Sequence, residues 1–128
     1  MLDTNIVSDM IRDPAGRAAR RARAVADAVC LSVIVAAELR YGCARKGSPQ
    51  LLRRVEALLS EVPVLPFEVP ADHEYGAIRA ELEAVGRSIG PNDLLIAAHA
   101  RALAATVVTA NVVEFQRVRG LSVENWLE

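Results

Sequence analysis

Apolar residues along the chain fall into short continuous runs, separated by longer stretches with helical spacing. Continuous apolar runs of this length are typical of strands buried in a parallel sheet, because both faces of such strands are covered. The candidate strands are Met1-Leu2, Val29-Cys30-Leu31, Val62 to Phe67, Thr106 to Thr109 and Leu121-Ser122-Val123. Pro63 and Pro66 interrupt the third run, which favours an irregular strand or an edge position.

The stretches between these runs predict six helices, over about residues 5–12, 16–26, 33–44, 49–59, 71–85 and 92–104. Cap and turn residues mark several of the boundaries, such as Ser32 as an N-cap and Asp13-Pro14-Ala15-Gly16 as a type I turn. Strands that alternate with helices, without hairpin turn signals, predict an α/β sandwich with a mainly parallel sheet of four or five strands.

Composition narrows the class of function. The chain of 128 residues is long enough for one domain, and its net charge of -1 gives no bulk attraction for a polyanion. Any contact with nucleic acid must therefore come from a local patch or a bound cation. Aromatic residues make up only 4% of the chain, which argues against a surface that stacks single-stranded bases.

The sequence contains no candidate membrane span. The longest strongly apolar run without charge extends from Val29 to Ala37, far short of the roughly 18 residues that a membrane span needs. Asp3 also lies where a signal peptide would carry positive charge. These features predict a cytoplasmic protein without a membrane partner.

Cysteine and histidine residues suggest neither a zinc site nor histidine-based catalysis. Cys30 and Cys43 have no CxxC spacing, and both histidines, His73 and His99, are distant from them in sequence. Histidine-based cleavage of RNA would need two suitably placed rings. His99 lies six residues after Asp93 in the same predicted helix and is mostly off its face.

Acidic residues follow the predicted strands and are expected to converge. Asp3 comes directly after the first strand, Glu38 lies in the helix after the second, and Asp93 opens a later helix. Asn111 and Glu114 follow the fourth strand. The carboxyl ends of parallel strands meet at one edge of a sheet, and carboxylates gathered there repel one another. Mg²⁺ or Mn²⁺, held by one or two carboxylates and waters, would remove this conflict.

Each of these residues also has a purely structural interpretation. Asp3 is a good helix cap, and Asp93 would stabilise a helix N-terminus through the helix dipole. Glu38 lies in an otherwise apolar run, so its partner would be either a metal site or an arginine such as Arg40 or Arg79. The asparagine and glutamate after the fourth strand are equally compatible with a surface loop.

Four ordered segments of the sequence form a recognisable set. They are Leu2-Asp3-Thr4-Asn5, residues 32–42 (SVIVAAELRYG), residues 89–98 (IGPNDLLIAA), and Val108-Thr109-Ala110-Asn111 followed by Glu114-Phe115. This set resembles the motifs of PIN-domain toxins of the VapC type, the ribonuclease half of a bacterial toxin–antitoxin pair. The resemblance spans nearly the whole chain and implies a single PIN domain over residues 1–128, a three-layer α/β/α sandwich.

The resemblance also implies an activity and a set of partners. It implies an endoribonuclease that depends on Mg²⁺ or Mn²⁺ and forms a homodimer or a higher toxin–antitoxin assembly. A cognate VapB-type antitoxin would inhibit it by placing its C-terminal segment in the active-site groove. Metal-activated water would hydrolyse the RNA phosphodiester and leave a 5′-phosphate and a 3′-hydroxyl.

The same resemblance assigns roles to particular residues. Asp3 and Asp93 would be the principal metal ligands, and Glu38 would either bind the metal through water or orient the attacking water. The residues implied to support these ligands by hydrogen bonds are Thr4, Asn5 and Asn92. Many PIN domains have an aspartate near Asn111, so Glu114 substitutes for it here or a second metal binds only with substrate.

Two surface features and one alternative function remain open. The densest basic segment of the chain contains Arg17, Arg20 and Arg21. It either contacts RNA or forms a solvated or protein-binding face. Apolar positions on residues 49–59 and in the Leu39–Tyr41 region either complete the core or form an antitoxin or dimer surface. The alternative function is a catalytically weak PIN-fold binding module that acts through antitoxin or nucleic-acid binding. A phosphatase is disfavoured because the chain has neither a GxSxG segment nor a glycine-rich phosphate loop.

Overall fold

The computed structural model describes residues 1–128, which form seven α-helices and four short strands. The helices are α1 (Thr4–Arg12), α2 (Arg17–Ala24), α3 (Val33–Lys46), α4 (Pro49–Glu61), α5 (Ala71–Ala84), α6 (Pro91–Ala102) and α7 (Val112–Phe115). A single turn of 3-10 helix covers Ala26–Ala28. The strands are β1 (Leu31–Ser32), β2 (Val64–Leu65), β3 (Val107–Val108) and β4 (Val123–Glu124). The six predicted helices are confirmed, with small shifts at their ends, whereas α7 was not predicted.

The strands pair in parallel, as predicted, but they form two sheets of two strands each. Leu31 of β1 lies opposite Val64 of β2, and Val107 of β3 lies opposite Val123 of β4. The single sheet of four or five strands that the sequence predicted is therefore found only in this divided form.

Residues 1–3 lie between the two sheets and connect them. The backbone N–H of Leu2 donates to the carbonyl of Cys30 (3.0 Å), and that of Asp3 donates to the carbonyl of Val108 (2.8 Å). The predicted first strand is thus reduced to one isolated bridge, between Leu2 and Val108. These hydrogen bonds bring the chain segments that follow β1, β3 and the N-terminus to one side of the molecule.

The strands are short because residues that cap helices follow them at once. Ser32, the last residue of β1, accepts a hydrogen bond from the Ile34 N–H and starts α3. Asp3 starts α1 directly after the Leu2 bridge by accepting from the Thr4 N–H. A backbone that has entered a helix no longer offers its N–H groups to a neighbouring strand, so each ladder ends there.

The core of 24 buried residues lies where the helices cover the strands. α6 contributes more to it than its predicted inner face suggested, because Leu94 and all residues from Ile96 to Ala100 are buried. Its first turn remains accessible, since Asn92 is exposed and Asp93 is half-buried. No helix is both long enough and apolar enough to span a bilayer.

Candidate active site

Asp3 is the most buried carboxylate of the predicted set, with 3% of its surface exposed. Its Oδ1 accepts from the Thr4 N–H (2.8 Å), and its Oδ2 accepts from the Thr109 hydroxyl (2.8 Å) and the Asn5 amide (3.2 Å). Burial raises the pKa of Asp3, the hydrogen bonds lower it, and the charge of Glu38 raises it further. Asp3 is therefore the helix cap of the structural interpretation and also a buried carboxylate at the strand end.

Glu38 is half-buried on α3 and is held by two uncharged donors. Its Oε1 accepts from the Thr4 hydroxyl (2.8 Å), and its Oε2 accepts from the Asn92 amide (3.3 Å). Since Thr4 also donates its backbone N–H to Asp3, one residue holds both carboxylates. Glu38 of α3 is thereby connected to the start of α1 through Thr4 and to the start of α6 through Asn92.

The hypothesis that Glu38 is paired with Arg40 or Arg79 is wrong. Arg40 binds Glu56 instead (2.7 Å), and Arg79 binds Glu83 (3.1 Å). No cationic side chain neutralises Glu38, so its charge is compensated only by hydrogen bonds from neutral groups.

Asp93, Asn111 and Glu114 form the second half of the site. The Asn111 amide donates to Asp93 Oδ2 (3.1 Å) and to Glu114 Oε2 (2.5 Å). Burial, the hydrogen bond with Glu114 and the charge of Asp3 together raise the pKa of Asp93 to about 7. The same hydrogen bond, received from Asp93, lowers the pKa of Glu114. Below about pH 7 the Asp93–Glu114 pair therefore takes up one proton, on Asp93.

Hydrogen bonds to Asn5 and Thr109 fix the segment that follows β3. Asn5 accepts a hydrogen bond from the Ala110 N–H through its Oδ1 (3.0 Å), and the Thr109 hydroxyl accepts from the Asn111 N–H (2.9 Å). Thr109 is fully buried and was not predicted as a site residue. Its position at the end of a β-branched run, two residues before Asn111, is the only signal for it in the sequence.

The site's donor set fits a hard divalent cation. Nowhere in the structure do three His, Cys, Asp or Glu side chains meet with the geometry of a shared metal site. All the candidate ligand atoms are oxygens, however, and Mg²⁺ commonly binds one or two carboxylates and completes its shell with water. The charges of Asp3 and Asp93 oppose each other, as the raised pKa of Asp93 indicates. A cation between them would relieve this repulsion.

The predicted basic segment makes contacts of its own elsewhere in the fold. Arg17, Arg20 and Arg21 are exposed on α2, and no ion pair joins them to an acidic residue of the site. Arg20 donates to the Ala15 carbonyl (2.5 Å), and Arg21 lies over the ring of Trp126 at 5.4 Å. Their predicted contact with RNA stays a prediction.

A groove of about 360 Å³ opens at Thr4 and Glu38 and runs between α1, α3 and α4. Its cations are Arg12 and Lys46, and its apolar floor is formed by Ile11, Leu39, Cys43, Leu51 and Val55. We call this the basic-apolar groove. Helical spacing in the sequence could have predicted this groove. Arg12 lies two i,i+4 steps after Thr4 on α1, and Lys46 lies two such steps after Glu38 on α3, so each cation shares a helix face with a site residue. Residues 49–59 and Leu39 thus line a groove as well as completing the core.

Arg117 is a further cation beside the site that sequence analysis missed. Its Nη1 donates to the Ser88 carbonyl (3.1 Å), and its charge helps to lower the pKa of Glu114. Arg117 therefore links the segment after α7 to the segment that precedes α6. Only the fold reveals this proximity, because 29 residues separate Arg117 from Ser88.

Replacing Asn111 with aspartate should destabilise the metal-free protein by about 1–3 kcal/mol, since two donated hydrogen bonds become charge repulsion. Added Mg²⁺ should reverse most of this loss, because the new carboxylate supplies a ligand. Thermal unfolding in EDTA and in Mg²⁺ measures both effects, and Asn111→Ser, which adds no charge, is the control. Equal melting temperatures for the wild-type protein and Asn111→Asp in EDTA would contradict the assigned contacts.

Comparisons with known proteins agree on one family. The family model of the PIN domain matches residues 1–121. The chain is 40% identical over 129 residues to ribonuclease VapC2 of Rickettsia felis, covering 98% of this chain and 96% of that protein. It is 38% identical over 127 residues to the tRNA(fMet)-specific endonuclease VapC of Shigella flexneri, with coverage of 98% and 96%.

The fold of this chain matches that of a solved structure over nearly its whole length. The crystal structure of VapBC2 from Rickettsia felis, bound to a DNA fragment from their promoter, has a TM-score of 0.91 at 38% identity. The match covers 98% of this chain and 97% of that one. The domain match, the identity and the shared fold lead to one conclusion: this chain belongs to the PIN domain family and, within it, to the VapC group.

Proposed function

We propose that this protein is the ribonuclease toxin of a type II toxin–antitoxin module. In this proposal it is an endoribonuclease that depends on Mg²⁺ or Mn²⁺ and is neutralised by a cognate VapB-type antitoxin. The observation that carries the proposal is the joining of Asp3, Glu38, Asp93 and Glu114 by neutral hydrogen-bond donors, with no arginine bound to any of them. The names of the relatives, a ribonuclease and a tRNA endonuclease, support the same activity.

Asp3 and Asp93 would hold the metal ion, since burial raises the pKa of both and makes their charges costly without a counter-ion. When bound, such an ion supplies a water of lowered pKa and neutralises charge on the phosphate oxygens. The hydrogen bonds from Thr4, Asn5 and Asn111 fix the orientation of these two carboxylates. Such fixed orientation is what the partners of metal ligands provide.

Glu38 would orient the attacking water and take up its proton at a carboxylate oxygen. Thr4 and Asn92 hold one oxygen each, which leaves the remaining lone pairs of both oxygens for the water. Glu114 and Asn111 keep Asp93 turned toward the rest of the site. Attack by water on phosphorus, in line with the leaving 3′-oxygen, gives a 5′-phosphate and a 3′-hydroxyl.

RNA binding would depend on cations near the cut rather than on net charge. Single-stranded or looped RNA is the proposed substrate, because its bases can be splayed out for recognition. Arg12 and Lys46 line the groove that opens at Glu38, Arg117 lies near Glu114, and the basic segment of α2 would contact more distant phosphates.

Replacing Arg12 and Lys46 with alanine should raise the KM for RNA about tenfold and reduce its salt dependence, because two phosphate contacts are lost. Arg17→Ala, on the exposed face of α2, is the control for these more distant contacts and should raise KM less. Steady-state cleavage at several salt concentrations measures both effects. If the control raises KM more than the double variant does, the main RNA path follows α2 instead.

The basic-apolar groove would receive the C-terminal segment of the antitoxin. Its apolar floor suits an amphipathic partner segment, and its end at Glu38 lets that segment cover the carboxylates. The similar VapBC2 complex was solved on promoter DNA. We extend this to the present chain by proposing that the toxin–antitoxin complex, as a homodimer of toxins or a higher assembly, binds its own promoter.

Cleavage of a structured RNA pool by antitoxin-free protein tests the function, with Mg²⁺, Mn²⁺ or EDTA in parallel. We expect cleavage only with metal, and products with ligatable 5′-phosphates. Cleavage in EDTA, or products with 2′,3′-cyclic phosphates, would refute the proposed mechanism. Tight antitoxin binding by a folded protein that cuts under no condition would support the binding-module alternative.

A further inference from the structure

Beyond the proposed function, and resting on it, we propose that His99 is a positioning residue of the nuclease. Through its hydrogen bond to Ser32, His99 would set the position of α6 relative to α3. The two helices carry Asp93 and Glu38, so this bond would fix the separation of the two catalytic carboxylates.

The Ser32–His99 pair is one of two side-chain hydrogen bonds in the protein that are buried at both ends, the other being Thr109–Asp3. Ser32 is fully buried, 3% of His99 is exposed, and Ser32 Oγ lies 2.8 Å from His99 Nδ1. Ser32 Oγ already accepts the Ile34 N–H as the N-cap of α3 (3.1 Å). Its proton is therefore available to His99 Nδ1, which accepts it in the neutral tautomer that carries its proton on Nε2.

The surroundings of the ring favour this neutral form. Burial lowers the pKa of His99, although the backbone of Pro66 and the charge of Glu68 act in the opposite direction. Phe67 packs edge-on against the ring, with centroids 5.5 Å apart and planes at 73°. The Phe67 ring and the backbone of Pro66 together favour one orientation of the His99 ring.

The pair is placed symmetrically with respect to the candidate active site. Glu38 lies six residues after Ser32 along α3, and Asp93 lies six residues before His99 along α6. Six residues of helix span about 9 Å, so the buried bond and the site lie at comparable distances along both helices. α3 and α6 are joined again at the site, where the Asn92 amide donates to Glu38.

Of these two attachments, the buried one is better suited to fix the helices. The Asn92–Glu38 bond is 3.3 Å long and exposed to water, whereas the Ser32–His99 bond is 2.8 Å long and buried. A buried hydrogen bond is costly to break, because the separated groups cannot bind water. The capping of α3 explains Ser32 by itself, but it does not explain a histidine at position 99 of an otherwise apolar helix face.

Three variants separate positioning from stability. His99→Leu fills the space without an acceptor, whereas His99→Asn places a carbonyl oxygen near the position of Nδ1. Ser32→Gly removes the hydroxyl but keeps a tolerated N-cap, so it tests the bond without a change in the ring. Ile96→Val, a change in the buried face of α6 that keeps both partners of the Ser32–His99 bond, is the control for lost stability alone.

We expect His99→Leu and Ser32→Gly to lower kcat by about 10–100-fold with little change in KM, because a shift of about 1 Å in catalytic groups has effects of this order. His99→Asn should recover most of kcat, and Ile96→Val should keep it. Calorimetric titration with Mn²⁺ in the absence of RNA should show weaker binding for His99→Leu and near-normal binding for His99→Asn.

Two outcomes would overturn this proposal while leaving the nuclease intact. One is full kcat in folded His99→Leu, or in folded Ser32→Gly if the leucine variant does not fold. The other is an equal loss of kcat in the asparagine and leucine variants. Failure of the proposed function is a different result, since the wild-type protein itself would then not cleave RNA with metal.

Discussion

Replacing Asp93 with asparagine is expected to lower metal-dependent RNA cleavage by at least about a thousandfold, with the fold and antitoxin binding retained. The change keeps the size of the side chain but removes the charge that would hold the metal. Replacing partners of metal ligands typically costs 10–100-fold, so loss of a ligand should cost more. Single-turnover cleavage with saturating Mg²⁺ measures the effect, and circular dichroism checks the fold.

A matched control exists on the neighbouring helix. Asp72 lies in the first turn of α5, as Asp93 does in α6, but it is exposed and far from the carboxylate cluster in the chain. Asp72→Asn removes only a favourable interaction with the helix dipole, worth about 0.3–1 kcal/mol, and should cut RNA normally. If Asp93→Asn cuts as well as Asp72→Asn does, the proposed metal site is wrong.

The metal-free protein is expected to become more stable as the pH falls from about 8 to about 5. The pKa of Asp93 is raised to about 7 in the folded protein, from its ordinary value of 3.8. Between these values the folded state binds more protons than the unfolded state, so acidification favours folding. Burial raises the pKa of Asp3 too, which has the same sign. The lowered pKa of His99 opposes the trend below about pH 6.5.

Because Asp93 is only half-buried, we expect a gain of about 1–2 kcal/mol rather than the full value of its pKa shift. Urea unfolding in EDTA at several pH values measures this gain. Asp93→Asn should flatten the profile and raise stability at the alkaline end. Mg²⁺ should stabilise the wild-type protein at pH 8 by binding the ionised carboxylates, and should leave Asp93→Asn nearly unchanged. A flat profile for the wild-type protein in EDTA would contradict the crowding of carboxylates.

The boundaries of the helices and turns were predicted well from neighbouring residues in the sequence. Residues 33–44 were predicted as a helix, and α3 indeed begins at Val33, because Ser32 is a local cap. It continues to Lys46 and ends where Gly47 takes a left-handed conformation, with φ of 63°. The predicted turn at Asp13 is confirmed by a 2.9 Å hydrogen bond from the Gly16 N–H to the Asp13 carbonyl. Caps and turns involve neighbours in sequence, so the sequence alone predicts them well.

The strands were less predictable for the opposite reason. The apolar run from Thr106 to Thr109 gives the position of β3, but only Val107–Val108 pairs as a strand. Strand length depends on a partner elsewhere in the chain and on where that partner enters a helix. Val123–Glu124 pairs here rather than the predicted residues 121–123, because register is a property of the pair.

For the site, the sequence by itself determined which chemical groups are available and on which elements they lie. Asp3, Glu38 and Asp93, with Asn111 and Glu114, were assigned from their positions after strands and from resemblance. The tertiary structure decided how these groups are paired. It bound the two arginines proposed for Glu38 to other glutamates, placed Arg12 and Lys46 in the groove that opens at Glu38, and placed Arg117 near Glu114.

The physical reason is the range over which each interaction acts. The cap formed by Asp3 joins adjacent residues, whereas its bond to Thr109 spans 106 positions and that between Glu38 and Asn92 spans 54. Contacts of the second kind depend on how the helices and strands pack, and a single sequence carries no local signal for them. The sequence therefore determined the residues and their local structure, and the packing of the fold determined which of them meet.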